Sequence, residues 1–69
     1  MQYDYKRMVV SLRNKLVLSQ MEMAKALGVS FASINRWETG RHEPTIKAKR
    51  KIIELCKQNN IELYMKVED

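Results

Sequence analysis

Residues 19–40, SQMEMAKALGVSFASINRWETG, place a glycine between two stretches that each carry their own helix signals. Gly28 ends the first stretch, because glycine takes a left-handed backbone without a side-chain penalty. Ser30 starts the second, its hydroxyl accepting a hydrogen bond from an amide that has no partner inside the first turn. Upstream, Ser19-x-x-Glu22 has the form of a capping box, which satisfies two orphan amides reciprocally. Gly40 marks the far end. Local chemistry thus predicts two short helices, at 20–27 and 31–39, joined by the turn Leu27-Gly28-Val29-Ser30.

Apolar spacing says how the two pack. Met23, Ala24 and Leu27 share one face of the first helix, Ile34 and Trp37 share one face of the second, and Val29 lies in the turn. Ala24 is small where the helices would cross, and a larger residue there would push the axes apart. Helices that cross steeply leave the far side of the second one free to dock. That far side carries polar and basic groups, which suits a helix inserted into a groove of DNA.

The remaining chain supplies the support. Asp4 can cap a helix over 5–16 whose buried stripe is Met8, Val9, Leu12 and Leu16, ending near Val17, with Leu18 packed just before the capping box. Residues 40–43 read as a loop. Pro44-Thr45 opens a longer helix over 46–59 with Thr45 as its cap. Ile46, Ala48, Ile52, Ile53, Leu55 and Cys56 form its broad apolar face. Lys47, Arg50, Lys51 and Lys57 lie opposite, as a solvated face or a source of long-range attraction. Lys49 falls inside the apolar arc and is expected to snorkel its charge outward. After Asn59-Asn60, residues 61–67 alternate apolar and polar side chains, which suits a short strand or a further helix.

Sixty-nine residues allow one small domain, here 1–69. Two glycines, one proline and few β-branched clusters favour an all-α chain, a compact bundle of four to five helices. Thirteen Lys and Arg against eight Asp and Glu give a formal charge of +5, and the pI near 9.6 is in the range expected of a nucleic-acid binder. One cysteine excludes an internal disulfide, and Cys56 among apolar neighbours reads as a small core side chain. No apolar run is long enough to span a bilayer, and residues 1–18 mix charges in a way that does not suit a secretory leader. An intracellular, cytoplasmic protein is expected. One His and one Cys supply no metal-ligand set and no nucleophile–base pair, and Gly28 and Gly40 stand too far apart for a phosphate-cradling loop. Neither a catalytic site, a cofactor, a metal nor a small-molecule ligand is expected.

Gln20, Ala24, Gly28, Val29, Ile34 and Trp37, followed by Trp-Glu-x-Gly at 37–40 and by Pro44, resemble the helix-turn-helix of the phage-repressor class, the Cro/C1-type (XRE-like) regulators. The resemblance covers roughly residues 12–55. It implies a lambda-repressor-like DNA-binding bundle of bacterial or phage origin, acting at the nucleoid. Members usually carry a fifth helix, so the 61–69 tail departs from the pattern and becomes a candidate dimerisation segment, with closure of the core as the other reading. The resemblance also implies a structural pair between Arg13 in the first helix and Glu38 after the recognition helix, orienting the arginine toward a phosphate.

A helix in the major groove offers its first turn and one face to base edges. The outward positions of the second motif helix are Ser30, Phe31, Ala32, Ser33, Asn35 and Arg36. Similarity to the family places base reading at Phe31, Ala32 and Arg36, with Ser30 and Asn35 nearby. Arg36 can make a bidentate contact to guanine, whereas Phe31 and Ala32 would favour thymine methyl groups. Phe31 has a second reading, as a staple packed on the preceding helix. Phosphate contacts are expected from Gln20 at a helix N-terminus, from Ser33, and from Thr39, Arg41 and His42 beyond the recognition helix. The expected function is sequence-specific binding of double-stranded DNA by a transcriptional repressor that occupies a palindromic operator as a homodimer. A protein-interaction module, such as a small antitoxin or an adaptor, is the alternative, though the chain lacks the extended segment that would wrap a partner.

Overall fold

The computed structural model describes residues 2–67, so Met1 and the last two residues of the 61–69 tail lie outside the described residues. Four helices follow one another: α1 (Tyr5–Leu16), α2 (Gln20–Leu27), α3 (Phe31–Glu38) and α4 (Ile46–Gln58). Each begins where a short polar side chain turns back onto an amide. The Asp4 carboxylate accepts from the Arg7 amide, the Ser30 hydroxyl from that of Ser33, and the Thr45 hydroxyl from that of Ala48. At α2 the capping box closes in both directions, Glu22 N–H to Ser19 Oγ at 3.1 Å and Ser19 N–H to Glu22 Oε1 at 3.0 Å. The amide and hydroxyl of Ser19 hold the Glu22 carboxyl below its ordinary pKa.

The four helices also end alike. In each, a residue with positive φ lets two successive amides reach back into the last turn, which satisfies carbonyls that would otherwise be orphaned. The bonds run from Gly28 N–H to Lys25 O and Val29 N–H to Ala24 O, and from Gly40 N–H to Trp37 O and Arg41 N–H to Arg36 O. Asn60 and Ile61 make the same pair to Lys57 and Cys56, and Val17 and Leu18 to Asn14 and Arg13. Gly28 and Gly40 accept the left-handed conformation freely and asparagine tolerates it. Val17, at φ 54°, does not: its branched Cβ is strained there, and the side chain is 86% exposed.

The core is drawn from all four helices: Met8, Val9 and Leu12, Met23 and Ala24, Ile34 and Trp37, and Ala48, Ile52 and Cys56. α1 packs against α3 and α4, and α2 against α3. Ala24 is buried where α2 meets this core, as its size requires. The all-α bundle therefore stands, with three adjustments. Thr39 and Asn59 are caps rather than the last helical residues. Ile46 is 69% exposed instead of lining the apolar face; six residues before Ile52, at about 100° per residue, it lies about 120° from the centre of the buried stripe. The tail forms no further helix within the described residues. It makes one antiparallel bridge, Tyr3 to Met65, with Asp4 N–H to Tyr64 O at 2.7 Å and Lys66 N–H to Gln2 O at 2.9 Å. Ile61, Leu63 and Tyr64 pack on the core, while Met65 and Val67 face outward. Lys49 snorkels as expected, its ammonium 5.1 Å from the Tyr5 ring centroid and 3.0 Å from Glu43 Oε2.

Candidate nucleic-acid interface

α3 has two sides of opposite character. Ile34 and Trp37 are buried in the core. Phe31, Ala32, Asn35 and Arg36 are exposed on the other side, and Ser33 is partly so. Phe31 is 49% exposed, so about half of the ring is open to solvent at the start of α3, and it is not among the side chains packed on the core. Ser30 and Ser33 share a bond between their hydroxyls at 3.0 Å while Ser30 Oγ also takes the Ser33 amide. One hydroxyl proton is spent between the two serines, which leaves the other proton for an outside acceptor.

The end of α3 is held by a clamp. Arg13 Nε and Nη2 donate to the two oxygens of Glu38 at 2.8 and 3.0 Å, a fork-on-fork pair. Arg13 Nη1 donates to the Leu18 carbonyl at 3.2 Å, and Gln20 Nε2 donates to Glu38 Oε1 at 3.1 Å. Four parts of the chain meet there: α1, the α1–α2 turn, the first residue of α2 and the last residue of α3. Glu38 is 8% exposed and Arg13 23%. The carboxylate raises the Arg13 pKa above its already high ordinary value, so the guanidinium stays charged. The expected pair is present, but it is larger than a pair. Spacing gave no sign that Gln20 joins it, because the contact crosses 18 residues. Gln20 still has a second amide proton to offer a phosphate.

Beyond α3, the Thr39 hydroxyl donates to the Arg36 carbonyl at 3.1 Å, so that proton must be released before it can serve a phosphate. Arg41 and His42 are exposed in the loop that follows. Glu43 closes this loop with a clasp that sequence reasoning did not anticipate: its two oxygens meet Lys49 Nζ at 3.0 Å and Lys66 Nζ at 2.7 Å. Those two lysines hold the Glu43 carboxyl below its ordinary pKa. Among the described residues, no group of three or more His, Cys, Asp and Glu is placed to hold a metal ion, and no helix is long and apolar enough to cross a membrane.

Residues 10–61 match the helix-turn-helix family. That is most of the chain, so the protein belongs to the Cro/C1-type, XRE-like helix-turn-helix family, one of DNA-binding regulators. No curated protein and no solved structure matches it significantly. Family membership gives DNA binding, and the helix that such a motif inserts into the groove corresponds here to α3.

Proposed function

We propose that residues 1–69 act as one helix-turn-helix domain, a cytoplasmic transcriptional repressor that binds a palindromic operator as a homodimer. The reading rests on the open outer side of α3, where Arg36 stands exposed and opposite the buried Ile34 and Trp37. Arg36 forks onto guanine N7 and O6, while Phe31 and Ala32 contact thymine methyl groups, with Ser30 and Asn35 beside them. The operator half-site is therefore a T-rich step next to a guanine. Gln20, Ser33, Thr39, Arg41 and His42 grip phosphates on either side and set the register without reading sequence. The Arg13–Glu38 clamp keeps α3 at a fixed angle to α1.

A module this small makes few base contacts, and two copies on half-sites about 34 Å apart supply the missing specificity. The tail, with Met65 and Val67 turned outward, or the edge of α4 provides the dimer contact. The test is selection of bound sequences from a random duplex pool at two salt concentrations. A palindromic motif containing the T-rich step and guanine is expected. Tight binding at low salt without sequence preference would demote Arg36 to a backbone contact. A folded protein that binds no duplex would favour the interaction-module reading. Arg36→Ala should cost roughly 1–3 kcal/mol and relax one base pair, whereas Gln20→Ala should weaken all sequences alike.

A further inference from the structure

A groove of about 550 Å³ runs between the C-terminal half of α2 with its turn and the first part of α4. It contains none of the residues assigned above to bases or phosphates. Its rim is cationic: Lys25 comes from α2, and Lys47, Arg50 and Lys51 from α4. None of these four forms an ion pair with a described carboxylate. Glu54 is the one acid on the lining; its Oε1 accepts from Gln58 Nε2 at 3.3 Å, and its single charge against four cations leaves the lining strongly positive. The floor is apolar, made by Ala26, Leu27, Val29 and Ala48.

Charge and floor together define the occupant. Phosphates alone would gain from the rim and nothing from the floor. The lining runs along α4 from Thr45 to Glu54, about 14 Å at 1.5 Å per residue, which is longer than a compact anion and equal to two to three helical turns. We propose that this groove is a docking site for an acidic, amphipathic peptide segment of a partner protein, its carboxylates on the four cations and its aliphatic side chains on the floor. The assignment does not depend on operator recognition. It would let the protein engage a partner while α3 is occupied by DNA, because the two surfaces share no residue.

The experiment measures fluorescence anisotropy of a labelled peptide of glutamates with leucine at every third or fourth position, and of its glutamine counterpart, against the full chain. The acidic peptide should bind and the glutamine peptide should not. The double variant R50Q/K51Q should weaken binding roughly ten-fold, as expected for two lost charge-assisted contacts. Ala26→Glu, an exposed helical position, should abolish it with the helical circular dichroism unchanged. Duplex DNA affinity should keep its salt slope in R50Q/K51Q. The proposal is overturned if the glutamine peptide binds as well as the acidic one, or if Ala26→Glu binds like the wild type. It is also overturned if the DNA salt slope of R50Q/K51Q becomes shallower by about two contacts' worth, which would place these cations on phosphates, or if that variant loses self-association, which would make a second copy the occupant.

Discussion

The turns on either side of α2 use the same backbone bonds and rest on different causes. At Gly28 the residue type itself favours the turn: φ is +69° and nothing lies within 4 Å of where a Cβ would stand, although Val29, the next residue, also packs on the core. At Val17 the residue type opposes the turn, and the chain is held from outside. Leu18, the next residue, is anchored on the core and its carbonyl takes Arg13 Nη1, while Arg13 is gripped by Glu38 at the end of α3. One turn is local and the other is tertiary. The tertiary turn joins α1 to the motif, so strain there is linked through Arg13 and Glu38 to the end of α3, the proposed recognition helix.

The largest expected effect comes from removing the outside support. Arg13→Ala leaves the little-exposed Glu38 carboxylate without its partner and should lower stability by about 3 kcal/mol, the low end for breaking a buried pair. In thermal unfolding that is a fall of roughly 10–25 °C. If Arg13→Ala melts like the wild type, the clamp does not support the turn. Gly28→Val should cost about 2 kcal/mol, all of it backbone strain because the space is open. Val17→Gly should act in the opposite direction and raise stability by about 1 kcal/mol. Combining it with Arg13→Ala sharpens the comparison: in a double-mutant cycle the loss from Arg13→Ala should be smaller when Val17 is already glycine. Strict additivity would mean that clamp and strain are independent.

The smallest effect belongs to the clasp beyond α3. Glu43 is 47% exposed, against 8% for Glu38, so water screens its bonds. Glu43→Gln should change stability by no more than about 0.5 kcal/mol, less in high salt. Its folded-state pKa lies below the ordinary 4.5. The clasp therefore contributes above that pH, and the contribution is lost as pH falls through the folded value. A stability profile of Glu43→Gln against wild type should converge below this window, and a difference that persists at lower pH would show that the residue acts through something other than its charge.

The sequence was most legible where causes are local. Asp4, Ser19, Ser30 and Thr45 announce all four helix starts, because a cap and its amide are three residues apart. The buried stripe and the outward side of α3 followed from the helical period, and Arg13–Glu38 from resemblance to the family. Contacts between distant segments left no such trace. Gln20 on Glu38 and Lys66 on Glu43 span 18 and 23 residues, and the groove appears only when Lys25 is brought across from the α4 cations. Ile46 lies at the edge of a wide apolar arc and in the first turn of α4, and the helical period alone does not say which edge residues find a neighbour to cover them. Val17 was correctly taken as the end of α1, but nothing in its side chain announces a left-handed backbone.

Cys56 turns out to matter for a reason unrelated to its packing. It is the chain's one thiol, fully buried on α4, and burial pushes its pKa up. A maleimide or disulfide reagent reaches such a sulfur only when α4 lifts from its neighbours. The protein thus carries a built-in clock for its own opening, one that ticks at the rate of alkylation and needs no added probe.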